Sequence, residues 1–324
     1  MTITVKKSPA WAPGQGMSLS GTGPGMVVPS TGGGGGSLDP TGVSGLKLRY
    51  NVLSSYSNFT WDGSTETMQP TAAPGSQAAH VHTGGGWQMR STAFGSEPNF
   101  NGYGSVYTGQ ANEAPNTFYN GYWDDIYYLN IPGGRSARTM YLVGMFSSIP
   151  SGEKEMLGYG NNYKGWFGFS IVNGRIAVRN WSATGQVQPA LSGNPVYDSL
   201  DASSKSTAEI TAGAPFVVSY SYAEGTNLNA NDIYLNGVAG AYGSGISLPA
   251  FGLVHGEYDK INMTGVVGSN ARLSFSHYTN VGGTLTHDKT PYYVADALIF
   301  DSAHDTTTRQ GIESWLMSRY GISA

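Results

Sequence analysis

Residues 293–322 read YVADALIFDSAHDTTTRQGIESWLMSRYGI and join a strand pattern directly to a helix pattern. The first eight residues are mostly apolar, which is typical of a buried strand. Farther on, large apolar residues recur at helical spacing at Ile312, Trp315, Leu316 and Tyr320. Arg309 and Glu313 are placed to form an i,i+4 ion pair on this helix.

The ends of the helix also have recognisable signals. Either Asp305 or Thr307 can cap its start, and Gln310 completes a capping box with Thr307. Gly321 is placed to be the C′ residue, where a left-handed backbone is needed. The sequence therefore predicts one short C-terminal helix whose apolar face, including a buried Trp315, packs on the strands.

The rest of the chain favours short strands joined by turns. Asn173-Gly174 and Asn236-Gly237 lie between or after apolar runs, and Asn-Gly suits a type I′ hairpin because both turn residues need positive φ. Residues 60–120 are less regular, so we expect long loops with short strands there. Strand patterns are found at 46–52, 126–131, 139–146, 166–172, 175–181, 216–222, 232–235, 265–268, 273–277 and 293–300.

Composition agrees with an all-β fold and excludes several classes of partner. The 324 residues include 47 Gly and 21 Tyr, whereas charged residues make up only 12%. The net charge is −4 without basic clusters, so we expect no nucleic-acid partner. No run of 18 apolar residues exists and the N-terminus has no apolar core, so we expect neither membrane insertion nor a signal peptide. The absence of Cys excludes disulfides and thiolate metal sites.

The strand-to-helix ending resembles that of concanavalin A-like, or laminin-G-like, domains in bacterial and bacteriophage proteins. In those domains an Arg-Gln-x-Ile-Glu-x-aromatic-Leu helix, here residues 309–316, stops at an aromatic-Gly-Ile, here residues 320–322. Residues 140–144, the hairpin at 157–172 and the unit at 216–237 are similar to the family's preceding strands, in the same order. The likeness covers residues 46–322.

This resemblance implies an all-β fold, a two-sheet antiparallel jelly-roll sandwich with an extended N-terminal arm and one short C-terminal helix. We assign the sandwich to residues 45–324 and the arm to residues 1–44. Members of the family include lectins, glycosidases, adhesion modules and virion proteins, so the resemblance does not fix a function.

Residues 1–44 are rich in Gly and Pro, with five consecutive glycines at 32–36. Such a segment cannot offset its own ordering entropy, and the composition is also typical of a disordered tail. We predict an extended arm that is ordered by neighbouring subunits. Its predicted subunit contacts are Trp11, Met17, Met26, Val27 and Val28.

Enzymatic motifs are incomplete. The hydrolases of this family carry Glu-x-Asp-x-Glu on one strand, whereas residues 257–262 read EYDKIN and lack the third carboxylate. Glu153 and Glu155 follow Pro-Ser-Gly, which we interpret as a loop. His80 and His82 have no identifiable third ligand, and no phosphate-binding loop or nucleophile elbow is present. We therefore predict a protein that is not an enzyme and that has no catalytic residues, metal site or cofactor.

A carbohydrate site remains a hypothesis, because aromatic platforms beside Asp or Asn hold sugars. The proposed carbohydrate-binding residues are Tyr122, Trp123, Asp124 and Asp125, and their alternative roles are sandwich core and subunit contact.

The leading prediction is a non-enzymatic bacteriophage virion protein, located in capsid decoration or in the tail or baseplate. It would bind other virion subunits through its arm, form a homo-oligomer and present a lectin-like sandwich. Sparse charge with abundant Tyr, Asn and Ser suits wide interfaces. The alternative is a carbohydrate-binding adhesin or lectin, at the cell surface or secreted, that binds a host-surface glycan. A glycoside hydrolase is the third hypothesis.

Overall fold

The protein is described here by a computed structural model. It describes residues 36–52, 59–61, 66–68, 79–81, 100–107, 123–124, 136–151, 153–161, 165–181, 205–224, 232–242, 272–274, 279–281, 284–286 and 292–324. Gly35–Ala324 forms one compact unit. The predicted arm contacts at positions 11, 17, 26, 27 and 28 lie outside the described residues, as do the predicted strands at 126–131 and 265–268.

Strands and one helix make up this unit. In chain order they are β1 Leu46–Asn51, β2 Phe59–Trp61, β3 Glu66–Met68, β4 Ala79–Val81, β5 Val106–Tyr107, β6 Trp123–Asp124, β7 Arg138–Met145, β8 Glu153–Asn161, β9 Gly165–Val172, β10 Arg175–Trp181, β11 Lys205–Glu209, β12 Pro215–Tyr222, β13 Ile233–Leu235, β14 Val238–Ala239, β15 Ala241–Tyr242, β16 Arg272–Ser274, β17 Thr279–Val281, β18 Thr284–Thr286, β19 Tyr293–Phe300 and α1 Thr306–Tyr320. A 3-10 turn at Pro40–Gly42 precedes β1.

Two antiparallel seven-stranded sheets dominate. The first sheet runs β1-β19-β7-β12-β13-β14, with β5 also paired to β19, and the second runs β15-β11-β10-β9-β8-β16-β6. Strands β2–β4 form a three-stranded sheet, and β17 and β18 form a two-stranded one. The predicted all-β sandwich with one short C-terminal helix is therefore confirmed.

The main core lies between the two sheets. Alternate residues of the central strands point into it, because successive side chains of a strand face opposite sides. The first sheet contributes Tyr50, Leu142 and Val218, and the second contributes Phe167, Phe169, Ile171 and Ile176. All of these side chains are buried.

A second core lies between α1 and the outer face of the first sheet. Tyr141, Val143 and Leu298 face the helix from the sheet, and Ile312, Leu316 and Tyr320 face the sheet from the helix. Trp315 packs against this core but is only partly buried, so the prediction of a buried Trp315 holds only in part. The helical spacing is correct, but Trp315 lies at the margin of the apolar face, where Arg49 lies over its ring.

The predicted turns and caps have the expected geometry. Asn173 and Asn236 have φ of 48° and 49°, and the following glycines are also in the left-handed region. Asp305 caps α1 by accepting a hydrogen bond from the Thr308 N–H at 2.7 Å. Gly321 ends the helix with φ 66°.

A third Asn-Gly turn was not singled out in the sequence. Asn101 and Gly102, with φ of 55° and 83°, join Phe100 to Tyr103. Both aromatic rings pack on Tyr320, and the Asn101 amide donates to the Arg319 carbonyl oxygen at 3.0 Å. This turn therefore caps the C-terminal end of α1.

The chain passes from the first sheet to the second at Gly240, between β14 and β15. The Gly240 N–H donates to the Ile233 carbonyl oxygen at 2.7 Å. A Cβ at this position would collide with the backbone oxygen of Ser206 on β11. Only glycine fits this close approach, at the point where the chain crosses from one sheet to the other along an edge of the sandwich.

Candidate functional site

The outer face of the second sheet carries a row of small residues. Gly168 on β9 pairs with Gly158 on β8, and Ser170 pairs with Ala177 on β10. Because Phe167, Phe169 and Ile171 point into the core, the residues that alternate with them lie on the opposite face. Small, buried residues therefore lie at the centre of this face, with the positions of Arg179 and Glu155 next to Gly168 and Ser170 in the same two cross-strand rows.

Ser170 is the polar group among the small residues at the centre of this face. Its side chain is completely buried, at 0% exposure, and within the described chain its Oγ has no hydrogen-bond partner. A buried hydroxyl without a partner costs roughly 1–3 kcal/mol. This hydroxyl can therefore gain a hydrogen bond if a polar group reaches it.

The cross-strand register extends the same face to both sides. Directly paired residues share a face, and one continuous row of pairs connects five strands from β10 to β6. Across the sheet, the positions in this row are Trp181, Trp166, Gly160, Arg272 and Asp124. Adjacent strands are about 4.8 Å apart, so the row spans about 19 Å.

Only part of the sequence-predicted carbohydrate site falls within this arrangement. Asp124 occupies the outer-face row at the edge strand β6, opposite Arg272. Trp123 pairs with Leu273 and alternates with Asp124, so it occupies the other face. Tyr122 and Asp125 lie outside the described residues. The positions of Trp166 and Trp181, which the sequence analysis did not single out, share the face with Asp124.

Glu153 and Glu155 were interpreted as part of a loop, and this interpretation is wrong. Both lie on β8, where Glu153 pairs with Val172 and Glu155 pairs with Ser170. β8 begins at Glu153, directly after Pro150-Ser151-Gly152 in the sequence. Gly158 and Gly160 are two residues apart, and this spacing was the sequence signal of a strand that has no side chains on one face.

A second polar cluster lies under α1, on the other side of the sandwich. Asp296 on β19 is 0% exposed. It accepts hydrogen bonds from Arg49 Nη2 at 2.6 Å and from Arg49 Nε at 3.2 Å. The Tyr320 hydroxyl donates to the same carboxylate at 2.9 Å. Burial opposes the Arg49 charge, but the Asp296 carboxylate outweighs burial and raises the pKa of Arg49.

The ion pair predicted on α1 is also buried. Arg309 Nη1 donates to Glu313 Oε2 at 2.5 Å, and the Ser219 hydroxyl donates to Glu313 Oε1. The Arg309 guanidinium lies 3.3 Å from the centre of the Tyr234 ring. Burial raises the pKa of Glu313 despite the stabilising charge of Arg309.

His304 completes this polar layer at the start of α1. Its Nδ1 lies 2.8 Å from the Tyr141 hydroxyl, and its backbone N–H donates to Thr139 Oγ1 at 3.0 Å. Burial lowers the pKa of His304 to about 4, so the ring is neutral at pH 7. Within the described chain its Nε2 is buried without a hydrogen-bond partner.

The layer under α1 is suited to holding the helix on the sheet. Each carboxylate in it is already bound by an arginine and a hydroxyl, so neither is available to a ligand. The pairs Arg49–Asp296 and Arg309–Glu313 connect sheet and helix through Tyr320 and Ser219. The outer face of the second sheet, with its unpaired Ser170, is the better candidate for ligand binding.

The described residues contain no group of three or more His, Asp or Glu side chains that could hold a metal ion. Of the two predicted histidines, His80 lies on β4 and His82 lies outside those residues. In the same part of the chain, no helix is long and apolar enough to cross a membrane.

Comparisons with known proteins give weak structural matches. No family model matches the sequence, and no curated protein is similar to it. A solved structure of Trypanosoma rangeli sialidase in complex with 2,3-difluoro-KDN has a TM-score of 0.40 at 12% identity, over 88% of this chain and 34% of that chain. The leech intramolecular trans-sialidase has a TM-score of 0.32 at 16% identity, over 59% of this chain and 24% of that chain.

These matches correct the prediction that the protein is not an enzyme. The two solved structures named above are a sialidase and a trans-sialidase, which are enzymes, and the prediction is contradicted on that finding alone. The chain spans about a third of the length of the Trypanosoma rangeli sialidase chain. At this identity and TM-score, the likeness assigns neither an activity nor a role for any residue to this chain.

Proposed function

We propose that the protein binds a carbohydrate on the outer face of its second sheet. The observation that carries the proposal is the fully buried Ser170 hydroxyl, which lacks a hydrogen-bond partner within the described chain. Sugars present many hydroxyl groups that both donate and accept hydrogen bonds, so they can satisfy such a group. The neighbouring residues Gly158, Gly168 and Ala177 are small, so they place little side-chain volume around this hydroxyl.

The edges of the face supply the other chemistry that sugar binding needs. Trp166 and Trp181 occupy paired positions at one end of the row, and Arg272 and Asp124 occupy paired positions at the other. Aromatic rings offer an apolar surface for the C–H face of a sugar, and charged groups hydrogen-bond its hydroxyls.

A glycan array probed with the full chain tests this proposal. Ser170→Ala should weaken binding of the best glycan about 2- to 12-fold, which corresponds to the roughly 0.5–1.5 kcal/mol of one neutral hydrogen bond. Ser170→Ala should also leave the melting temperature unchanged or raise it, because the hydroxyl has no partner to lose. Ser314→Ala on the exposed side of α1 is the matched control. Unchanged glycan binding by Ser170→Ala would contradict the proposed site.

Carbohydrate binding is common to a lectin and to a glycoside hydrolase. A reducing-sugar assay on the glycans that bind distinguishes the two: product release indicates a hydrolase, and binding without release indicates a lectin. The same pair of measurements decides between the two functions whichever glycan is found.

Assembly through the N-terminal segment is a second proposal, which keeps the virion hypothesis testable. It is supported by the composition of residues 1–44, which are rich in Gly and Pro and cannot offset their own ordering entropy. A chain beginning at Gly36 should melt at nearly the same temperature as the full chain and lose its oligomeric state in light scattering. Retention of the same oligomer would exclude this function for residues 1–35.

A further inference from the structure

Gly311 is a glycine inside α1, where glycine costs about 1 kcal/mol relative to alanine. Its φ is not in the left-handed region, so backbone strain does not explain it. A Cβ at this position would lie 2.6 Å from both Cγ and Cδ1 of Leu38 and 2.9 Å from the Gly36 carbonyl oxygen. Gly311 therefore forms a notch that lets residues 36–38 cross the helix at close range.

Two further features hold the segment near this notch. The Leu38 N–H donates to the Gly311 carbonyl oxygen. Burial raises the pKa of the following Asp39, but hydrogen bonds from Thr41 and, to a smaller extent, the charges of Arg49 and Arg319 outweigh it and lower that pKa. Arg319 lies over the rings of Tyr103 and Trp315, at 4.0 and 5.0 Å. Within the described chain its Nε is buried without a hydrogen-bond partner. Asp39 accepts hydrogen bonds from the Thr41 N–H at 2.9 Å and from Thr41 Oγ1 at 2.8 Å, so it caps the 3-10 turn that follows the segment.

The attachment is nevertheless slight. Leu38 remains 38% exposed, and one backbone hydrogen bond joins residues 36–39 to the helix among the described residues. The five glycines at 32–36 precede the contact, and glycine gains more conformational freedom on release than any other residue. Local openings of this kind need less free energy than unfolding of the whole domain.

We infer that residues 36–39 are a releasable strap across α1, with Gly311 as its positioning residue. The strap lies on the helix side of the first sheet. The glycan face proposed above belongs to the other sheet. This inference does not depend on either proposed function.

Hydrogen exchange of the Leu38 amide in the full chain tests the strap. The amide should be protected in the wild type, and Gly311→Ala should reduce its protection at least tenfold while the amides of β7 and β12 keep theirs. Gly42→Ala is the matched control, because a Cβ there meets nothing within 4 Å. Asp39→Asn should reduce the protection at low salt and have less effect at high salt, since screening weakens exposed charge pairs.

A thermal melt of the double variant gives an independent measurement. Alanine is the better helix former, so Gly311→Ala should raise the melting temperature by about 2 °C in a Leu38→Gly background, where the strap is already loosened. In the wild-type background, Gly311→Ala should not raise the melting temperature. The inference fails if the Leu38 amide exchanges freely in the wild type, if Gly311→Ala stabilises both backgrounds equally, or if protection grows with protein concentration, which would mean that a second copy holds the segment.

Discussion

Replacing Asp296 by Asn is the sharpest test of how the helix is held on the first sheet. Asp296 is 0% exposed and Arg49 is 5% exposed, so the substitution leaves a buried guanidinium beside a neutral amide. It weakens contacts from both Arg49 and Tyr320. Removing one partner of a buried pair costs about 3–5 kcal/mol. Domains of this kind have total stabilities of about 5–15 kcal/mol.

Urea unfolding measures this loss, with the free energy extrapolated linearly to water. Asp301→Asn is the control, since it breaks the exposed Lys47–Asp301 pair at the end of the same two strands and should cost less than about 1 kcal/mol. The triple variant Arg49→Met, Asp296→Val and Tyr320→Phe should be more stable than Asp296→Asn, because apolar groups can replace a buried ion pair at little cost. A loss below 1 kcal/mol in Asp296→Asn, or a triple variant as unstable as the summed single variants, would refute the reasoning.

Three further predictions concern stability. Stability should fall between pH 6.5 and about 4, because in that window the unfolded chain protonates His304 and the folded chain does not. Solvent screening limits the loss to roughly 1–2 kcal/mol, and a urea titration of His304→Asn across this window should show a smaller loss. Leu316→Ala should cost about 2–5 kcal/mol in urea unfolding as a core truncation, whereas the exposed Ser314→Ala should cost almost nothing. Gly240→Ala should lower the melting temperature, with a cost of about 1–3 kcal/mol, because its Cβ meets the backbone of β11, and Gly42→Ala should be neutral. For each variant, a loss of stability equal to that of its control would contradict the contact on which the prediction rests.

The parts of the fold that sequence predicted correctly are those with short-range causes. The ends of α1 follow from Asp305 and Gly321, and the β9–β10 hairpin follows from Asn173 and the glycine after it. These signals depend on residues a few positions apart, and they act in the same way in any tertiary context.

The polar layer under α1 could not be predicted from sequence, because its partners are far apart in the chain. Arg49 and Asp296 are separated by 247 positions, and Glu313 and Ser219 by 94. The period-2 pattern placed Arg49 on the polar side of β1, but the helix covers that side and buries it. The burial of Trp315 was overestimated for a related reason. Helical spacing shows on which side of the helix a residue lies, but it does not show how wide a face of the helix the sheet covers.

The candidate binding face was missed for a different reason. The sequence prediction rested on aromatic and acidic residues that are adjacent in the chain, at 122–125. On a sheet, neighbours across strands come from separate segments, so Trp166 and Trp181 meet only through the β9–β10 register. Small residues such as Gly158 and Ser170 give no sequence signal of a site until their pairing is known.

The position of β19 between β1 and β7 constrains the order of events during synthesis. About 250 residues separate the paired strands β1 and β19, so neither β1 nor the facing edge of β7 has its partner until β19 has left the ribosome. Unpaired edges of this kind are templates for pairing with other chains, and contacts this distant in sequence form slowly. A nascent chain stalled before residue 293 should therefore be a good chaperone client, and adding the last strand should release it.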